Sequence, residues 1–141
     1  MCRAHATVRE LLGALVGENR ELAVVDLEAG LENLSRGTPR HADVLLIVLE
    51  PYFKSLETGR RILELARELG IQRIYGVANK IRSQEDEAAI RDFARSHQVE
   101  LSATVLDDEG ILSADRQGRS PVDVAPDSPA VRAVHDLAQS L

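Results

Sequence analysis

The segment Asp43-Val-Leu-Leu-Ile-Val-Leu-Glu50 constrains the fold of this 141-residue chain more than any other. Its six consecutive apolar residues, Val44 to Leu49, fall far short of the roughly 20 that span a bilayer. They also leave no polar face for water, so the run reads as a strand covered on both sides, as in a parallel sheet flanked by helices. A helix signal follows at once. Over Ser55 to Leu69, residues Ile62, Leu63, Ala66 and Leu69 share one stripe, and Gly70 stands where a helix stops.

The remainder repeats this alternation. Thr7-Val8-Arg9-Glu10 fits a capping box, and Val8, Leu11, Leu12, Leu15 and Val16 then form an amphipathic stripe that Gly17 ends. Glu21 to Asp26 is a short apolar run read as a strand, and residues 28–36 form a brief helix or turn. Gln72 to Ala78 and Glu100 to Leu106 are further strands. Between them, Ser83-Gln84-Glu85-Asp86 opens a helix with Ala89, Ile90, Phe93 and Ala94 on its buried face. A polar stretch leads to a last helix at Asp127-Ser128-Pro129. Strands and helices at this spacing predict right-handed βαβ crossovers, an α/β fold with a mainly parallel sheet, and one domain over residues 1–141.

Composition excludes several functions. Aromatic residues are 3% of the chain, Trp is absent and the net charge is −6, so neither base-stacking platforms nor a basic field point to nucleic acid. Nothing points to a membrane: Met1-Cys2-Arg3-Ala4-His5 lacks the apolar stretch of a signal peptide. A single cysteine, Cys2, forms no internal disulfide, which suits a reducing, cytoplasmic setting.

Ligands of an open parallel sheet bind beyond the carboxyl ends of its strands. The predicted strands end in Asp26, in Glu50-Pro51, in Asn79-Lys80 and in Asp107-Asp108. Asp26, with Gly30 four residues on, suits a carboxylate holding a Mg²⁺-bound water while the glycine amide donates to a terminal phosphate; it equally suits a helix N-cap. Asn79-Lys80 suits the reading of a purine edge, or a strand-ending turn. The nine glycines include no G-x-x-x-x-G-K-[ST] and no G-x-G-x-x-G, so a phosphate cradle is missing. Cys2, His5 and His41 do not make a ligand cluster by spacing, and His97 and His135 read as exposed helix positions. Asp26 and Lys80 partly mimic a phosphoacceptor receiver domain, but its acidic pair is absent.

Taken in order, Val24 to Thr38 (V-V-D-L-E-A-G-L-E-N-L-S-R-G-T), Val48 to Pro51 (V-L-E-P), Ser55 to Thr58 (S-L-E-T), Ala78 to Lys80 (A-N-K) and Ala114 to Gly118 (A-D-R-Q-G) resemble the carbon monoxide dehydrogenase accessory ATPases, the nickel-insertion factors. These are deviant-Walker P-loop ATPases, relatives of septum-site and chromosome-partitioning proteins. The opening C-R-A-H-A-T-V-R is similar to the family's segment just after its cysteine pair. The resemblance implies a dimeric, ATP- and Mg²⁺-dependent metallochaperone serving carbon monoxide dehydrogenase. By position, Asp26 and Gly30 match the switch that senses the γ-phosphate, with Glu28 and Ala29 inside it. Asn79 and Lys80 match the base-binding pair, and Asp108, in Leu106-Asp107-Asp108 where the family has P-x-D, is expected with them as a cofactor-binding residue. Cys2 matches the second cysteine of a C-x-C motif that holds Ni²⁺ or Zn²⁺ at the dimer interface.

The departures define further expectations. The P-loop strand, its lysines, the first switch and the first cysteine are not in this sequence, and Asn33 and Ser35 replace a usual His and Gly. The chain corresponds to the C-terminal part of such an ATPase, a P-loop-NTPase-like α/β fold lacking the N-terminal P-loop strand. Unpaired strand edges predict a homo-oligomer or pairing with a separate N-terminal P-loop half. Isolated, the chain is expected to be inactive. The alternative is a non-catalytic α/β binding or regulatory module that has lost nucleotide chemistry.

Overall fold

The structure, a computed structural model, describes residues 23–27 and 42–141. Along the chain lie β1 (Leu45–Leu49), α1 (Phe53–Glu68), β2 (Ile74–Ile81), α2 (Gln84–Ser96), β3 (Glu100–Leu106), α3 (Glu109–Arg116), α4 (Pro121–Val124) and α5 (Pro129–Ser140). The strands form one parallel sheet in the order β1-β2-β3. This is the α/β fold that the alternation of signals predicts.

The helix ends follow local chemistry. Ser83 caps α2 by accepting from the Asp86 amide at 3.1 Å, and the Asp86 carboxylate accepts in return from the Arg82 amide at 3.0 Å. Glu85, Asp86 and Glu87 place negative charge in the first turn, where the helix dipole favours it. At the other end of α1, Gly70 takes φ +79°, and the Gly70 and Ile71 amides donate to the carbonyls of Arg67 and Ala66.

The described residues group into two compact units. One includes Leu45 and Arg60–Ile74. In it Leu63, Ala66 and Ile71 are buried, and the Leu45 amide donates to the Arg73 carbonyl at 2.9 Å. The other comprises Leu46–Gly59 and Tyr75–Leu141. In this second unit helices cover both faces of the sheet. Ile47 and Leu49 meet Gly59 of α1, with the Phe93 ring of α2 beside the same point. On the opposite face Val77 and Val105 form a core with Ala130 and Leu137 of α5, against which Leu46 and Ala103 pack.

Several expectations change. Ala23–Asp26, the described part of the predicted strand Glu21–Asp26, form no strand, and Val24 and Val25 are exposed. A strand exists only through its ladder, and the described sheet does not extend to these residues. The run Asp43–Glu50 is not covered on both faces throughout: Leu45, Ile47 and Leu49 are buried, but Val48 is exposed. Ala89 is exposed on α2, whose buried residues are Ile90 and Ala94. His97 is half-buried, its ring stacked on Phe93 at 4.3 Å and its Nδ1 2.9 Å from the Phe93 carbonyl. The polar stretch after β3 contains two short helices, α3 and α4.

Candidate functional site

The carboxyl edge of β2 departs most from regular geometry. Ala78 pairs with Thr104 and Ile81 with Leu106, so three steps along β2 face two along β3. The extra residue is a bulge at Asn79-Lys80, the kind of device that re-aims a side chain beside a site. The predicted pair therefore lies inside a strand that runs on to Ile81, not in a turn beyond Ala78. Lys80 takes φ +55°, a left-handed conformation that costs an L-residue about 1–2 kcal/mol.

Two contacts hold this bulge. Beyond it the ladder resumes, with Ile81 paired to Leu106 and the Asp107 amide donating to the Ile81 carbonyl at 3.0 Å. Across the edge, the Lys80 amine lies 3.0 Å from Glu50 Oε1 at the end of β1. The Lys80 side chain is 59% exposed, so this pair contributes roughly 0.2–1 kcal/mol and offsets only part of the backbone strain. The hydrogen bond and charge of Glu50 raise the Lys80 amine above its ordinary pKa, and Tyr52 and Asp107 add to the effect. Glu50 is itself fixed: its amide donates to Ser55 Oγ at 2.9 Å, and its carbonyl accepts from the Tyr52 amide at 2.8 Å.

Beside the bulge is an open cavity of about 540 Å³, lined by Ile81, Arg82, Ser83, Leu106, Asp107 and Leu112 among others. Asn79 and Lys80 do not line it; it begins one residue further on. Asp108, at the cavity wall, is already engaged. One carboxylate oxygen accepts from the Gly110 amide at 2.7 Å and the other from the Ala130 amide at 3.2 Å, so one side chain caps α3 and ties down the start of α5. The amides of Ala130 and Gly110 hold this carboxyl below its ordinary pKa. Asp108 thus braces the loop after β3, a role that counting polar strand ends does not reveal.

Asp26 is exposed on irregular backbone, while Gly30 and Cys2 lie outside the described residues, as do Glu28 and Ala29. The structure brings together Lys80 and Glu50, and it joins Asp108 to α3 and α5; Glu50 is the member that sequence reasoning left without a role. Among the described residues no group of three or more His, Cys, Asp or Glu is placed to hold a metal ion. No described helix is long and apolar enough to cross a membrane. As chemistry, the edge offers an amide with both donor and acceptor and a tethered ammonium, next to an open cavity that neither residue lines.

No protein-family profile matches the chain. The chain is 40% identical over 126 residues to the carbon monoxide dehydrogenase accessory protein CooC of Rhodospirillum rubrum, covering 89% of this chain and 47% of that protein. It is 33% identical over 138 residues to an uncharacterized ATP-binding protein of Methanocaldococcus jannaschii, covering 97% of this chain and 52% of the relative. The chain therefore spans about half the length of the curated relatives it matches. Among solved structures, the cell division protein MinD of Aquifex aeolicus superposes with a TM-score of 0.80 at 18% identity, covering 96% of this chain and 59% of that one. A ParA family ATPase from Chlorobium tepidum gives 0.79 at 22% identity, covering 96% and 56%. The septum site-determining protein MinD of Pyrococcus horikoshii, complexed with Mg-ADP, gives 0.77 at 21%, also covering 96% and 56%. These likenesses show the fold.

Proposed function

This chain is a homologue of the carbon monoxide dehydrogenase accessory protein, and we propose that it carries the base-binding part of a nucleotide-dependent factor for maturation of that dehydrogenase. The observation that carries the reading is the 40% identity over 89% of the chain. The alternative, a module without nucleotide chemistry, is not favoured by it.

The fit to MgATP differs between the base and the phosphates. For the base, Asn79 has a donor and an acceptor, it stands in a bulge on the carboxyl edge, and the adjoining cavity falls within the roughly 300–1,000 Å³ of small-ligand sites. For the phosphates, residues 1–141 hold no glycine-rich loop with its lysine. In this reading Asn79 and Lys80 hold the base edge. By the same resemblance Asp26 would be the residue to help hold Mg²⁺ and Gly30 the residue to sense the terminal phosphate, both needing the P-loop contacts that residues 1–141 do not supply. Asp108 keeps the loop beside the base in place through its two backbone contacts. ATP supplies the γ-phosphate whose presence or loss distinguishes two states. Cys2 holds the metal cargo, Ni²⁺ or Zn²⁺, against a partner copy, in a cytoplasmic homo-oligomer or beside a separate P-loop half.

The test is carried out in a host that makes both this chain and a carbon monoxide dehydrogenase. Deleting the chain's gene lowers the nickel content and activity of the purified dehydrogenase under nickel limitation. The wild-type chain restores both, and Asn79→Ala does not. Unchanged nickel content on deletion overturns the reading.

A further inference from the structure

Glu50 and Lys80 join the ends of two neighbouring strands, and their backbones differ in kind. Glu50 leaves β1 from a fixed backbone, its amide bound to Ser55 Oγ and its carbonyl to the Tyr52 amide. Lys80 sits in a left-handed bulge that no lysine adopts for its own sake. Its side chain is mostly in water, where a lysine samples many rotamers unless something holds its amine. The Glu50 carboxylate, only 26% exposed, lies 3.0 Å away and does so. Tyr52 and Asp107 add weaker charge effects in the same direction at that amine.

We propose that Glu50 is a positioning residue: by tethering the Lys80 amine across the carboxyl edge, it holds the left-handed bulge that presents Asn79. The proposal rests on the reading of Asn79-Lys80 as the base-binding pair. It separates Glu50 from a merely decorative surface ion pair, which would leave the bulge unchanged when removed. The tether is electrostatic and partly exposed, so salt weakens it.

The experiment uses the isotopically labelled full chain with Glu50→Gln, Glu50→Asp and Asn79→Ala variants. The first readout is the intraresidue amide-to-Hα Overhauser contact of Lys80, strong only at positive φ, recorded at low and high salt. In the wild type it is strong and weakens with salt. In Glu50→Gln it is measurably reduced, in line with the up to about fivefold shift that an exposed ion pair supports, and it is insensitive to salt, while the Ile81 and Leu106 amides keep their shifts. Glu50→Asp restores much of it. The second readout is the amide response to MgATP at millimolar concentration. The wild-type response at Asn79 and Lys80 is lost in Asn79→Ala and shifts to about two- to fivefold higher concentration in Glu50→Gln, the range of an exposed ion pair. A Lys80 contact unchanged in Glu50→Gln overturns the positioning role. A wild type whose Lys80 contact depends on Glu50, but whose Asn79 amide ignores MgATP, supports the tether and overturns the base-binding reading instead.

Discussion

Gly59 lies in α1 at the point where the helix crosses the sheet, and replacing it with alanine tests how closely that contact is packed. A Cβ added there sits 2.3 Å from Leu49 Cδ2, with Phe93 Cζ at 3.6 Å and Ile47 Cγ2 at 3.8 Å. Carbon atoms pack at about 3.5–4.0 Å, so the Leu49 methyl must retreat by more than about 1 Å. Leu49 is only 1% exposed, and a buried side chain moves only by displacing its neighbours. Overpacking of this kind costs roughly 1–3 kcal/mol. Alanine also stabilises a helix interior over glycine by about 0.5–1 kcal/mol. The steric term wins, leaving Gly59→Ala less stable by about 0.5–2 kcal/mol. Urea unfolding shows this as a lower midpoint at unchanged slope. Leu49→Val in the same background recovers part of the loss, giving a coupling energy that neither single change predicts. Gly59→Ala as stable as the wild type, or more so, refutes the packing argument.

Two further outcomes follow from the structure and the sequence. Asp108→Asn keeps one acceptor but sets an amide donor against a backbone amide, so it lowers stability at neutral pH. Because the folded carboxyl titrates below its unfolded value of about 3.9, its stabilisation is fully present above that pH and is lost as pH falls through the lower folded value. Asp108→Asn therefore flattens the acid limb of a urea-midpoint curve, and an unchanged limb contradicts the assignment. For metal, Cys2 is the sole thiolate per chain, at most two across a dimer, whereas closed zinc sites use four ligands. The isolated chain should bind Ni²⁺ or Zn²⁺ weakly; submicromolar, stoichiometric binding abolished by Cys2→Ser contradicts this.

What the sequence made legible is what local patterning encodes. The doubly apolar run found β1, the helical stripe and Gly70 found α1, and Ser83-Gln84-Glu85-Asp86 and Asp127-Ser128-Pro129 found the starts of α2 and α5, where the Ser83 and Ser128 side chains cap. Non-local features stayed hidden. The bulge at Asn79-Lys80 is a mismatch of register with β3, a property of two strands that neither segment alone contains. The tether from Glu50 depends on which strand ends lie side by side. Asp108 was expected among the cofactor-binding residues; that its carboxylate also reaches Ala130, twenty-two residues away, and braces the fold is a contact no local segment shows. The apolar character of Val24 and Val25 suggested a strand, yet apolar residues form one only where a neighbouring strand completes the ladder. That Asn79 and Lys80 lie toward the carboxyl end of β2 could be anticipated, because the position of a strand end follows from local patterning.

In the function proposed above, residues 1–141 grip the base of a nucleotide but hold no P-loop for its phosphates. Calorimetric titration of the purified chain with MgATP tests it most directly. A P-loop derives its affinity from backbone amides wrapped around the β-phosphate and a lysine beside them, and residues 1–141 hold no such loop. Asn79 and Lys80 leave one or two hydrogen bonds, about 1–3 kcal/mol, too little to offset the entropy of association. The expected result is weak binding with a millimolar dissociation constant and no hydrolysis above background. A micromolar dissociation constant that disappears in Asn79→Ala would contradict it.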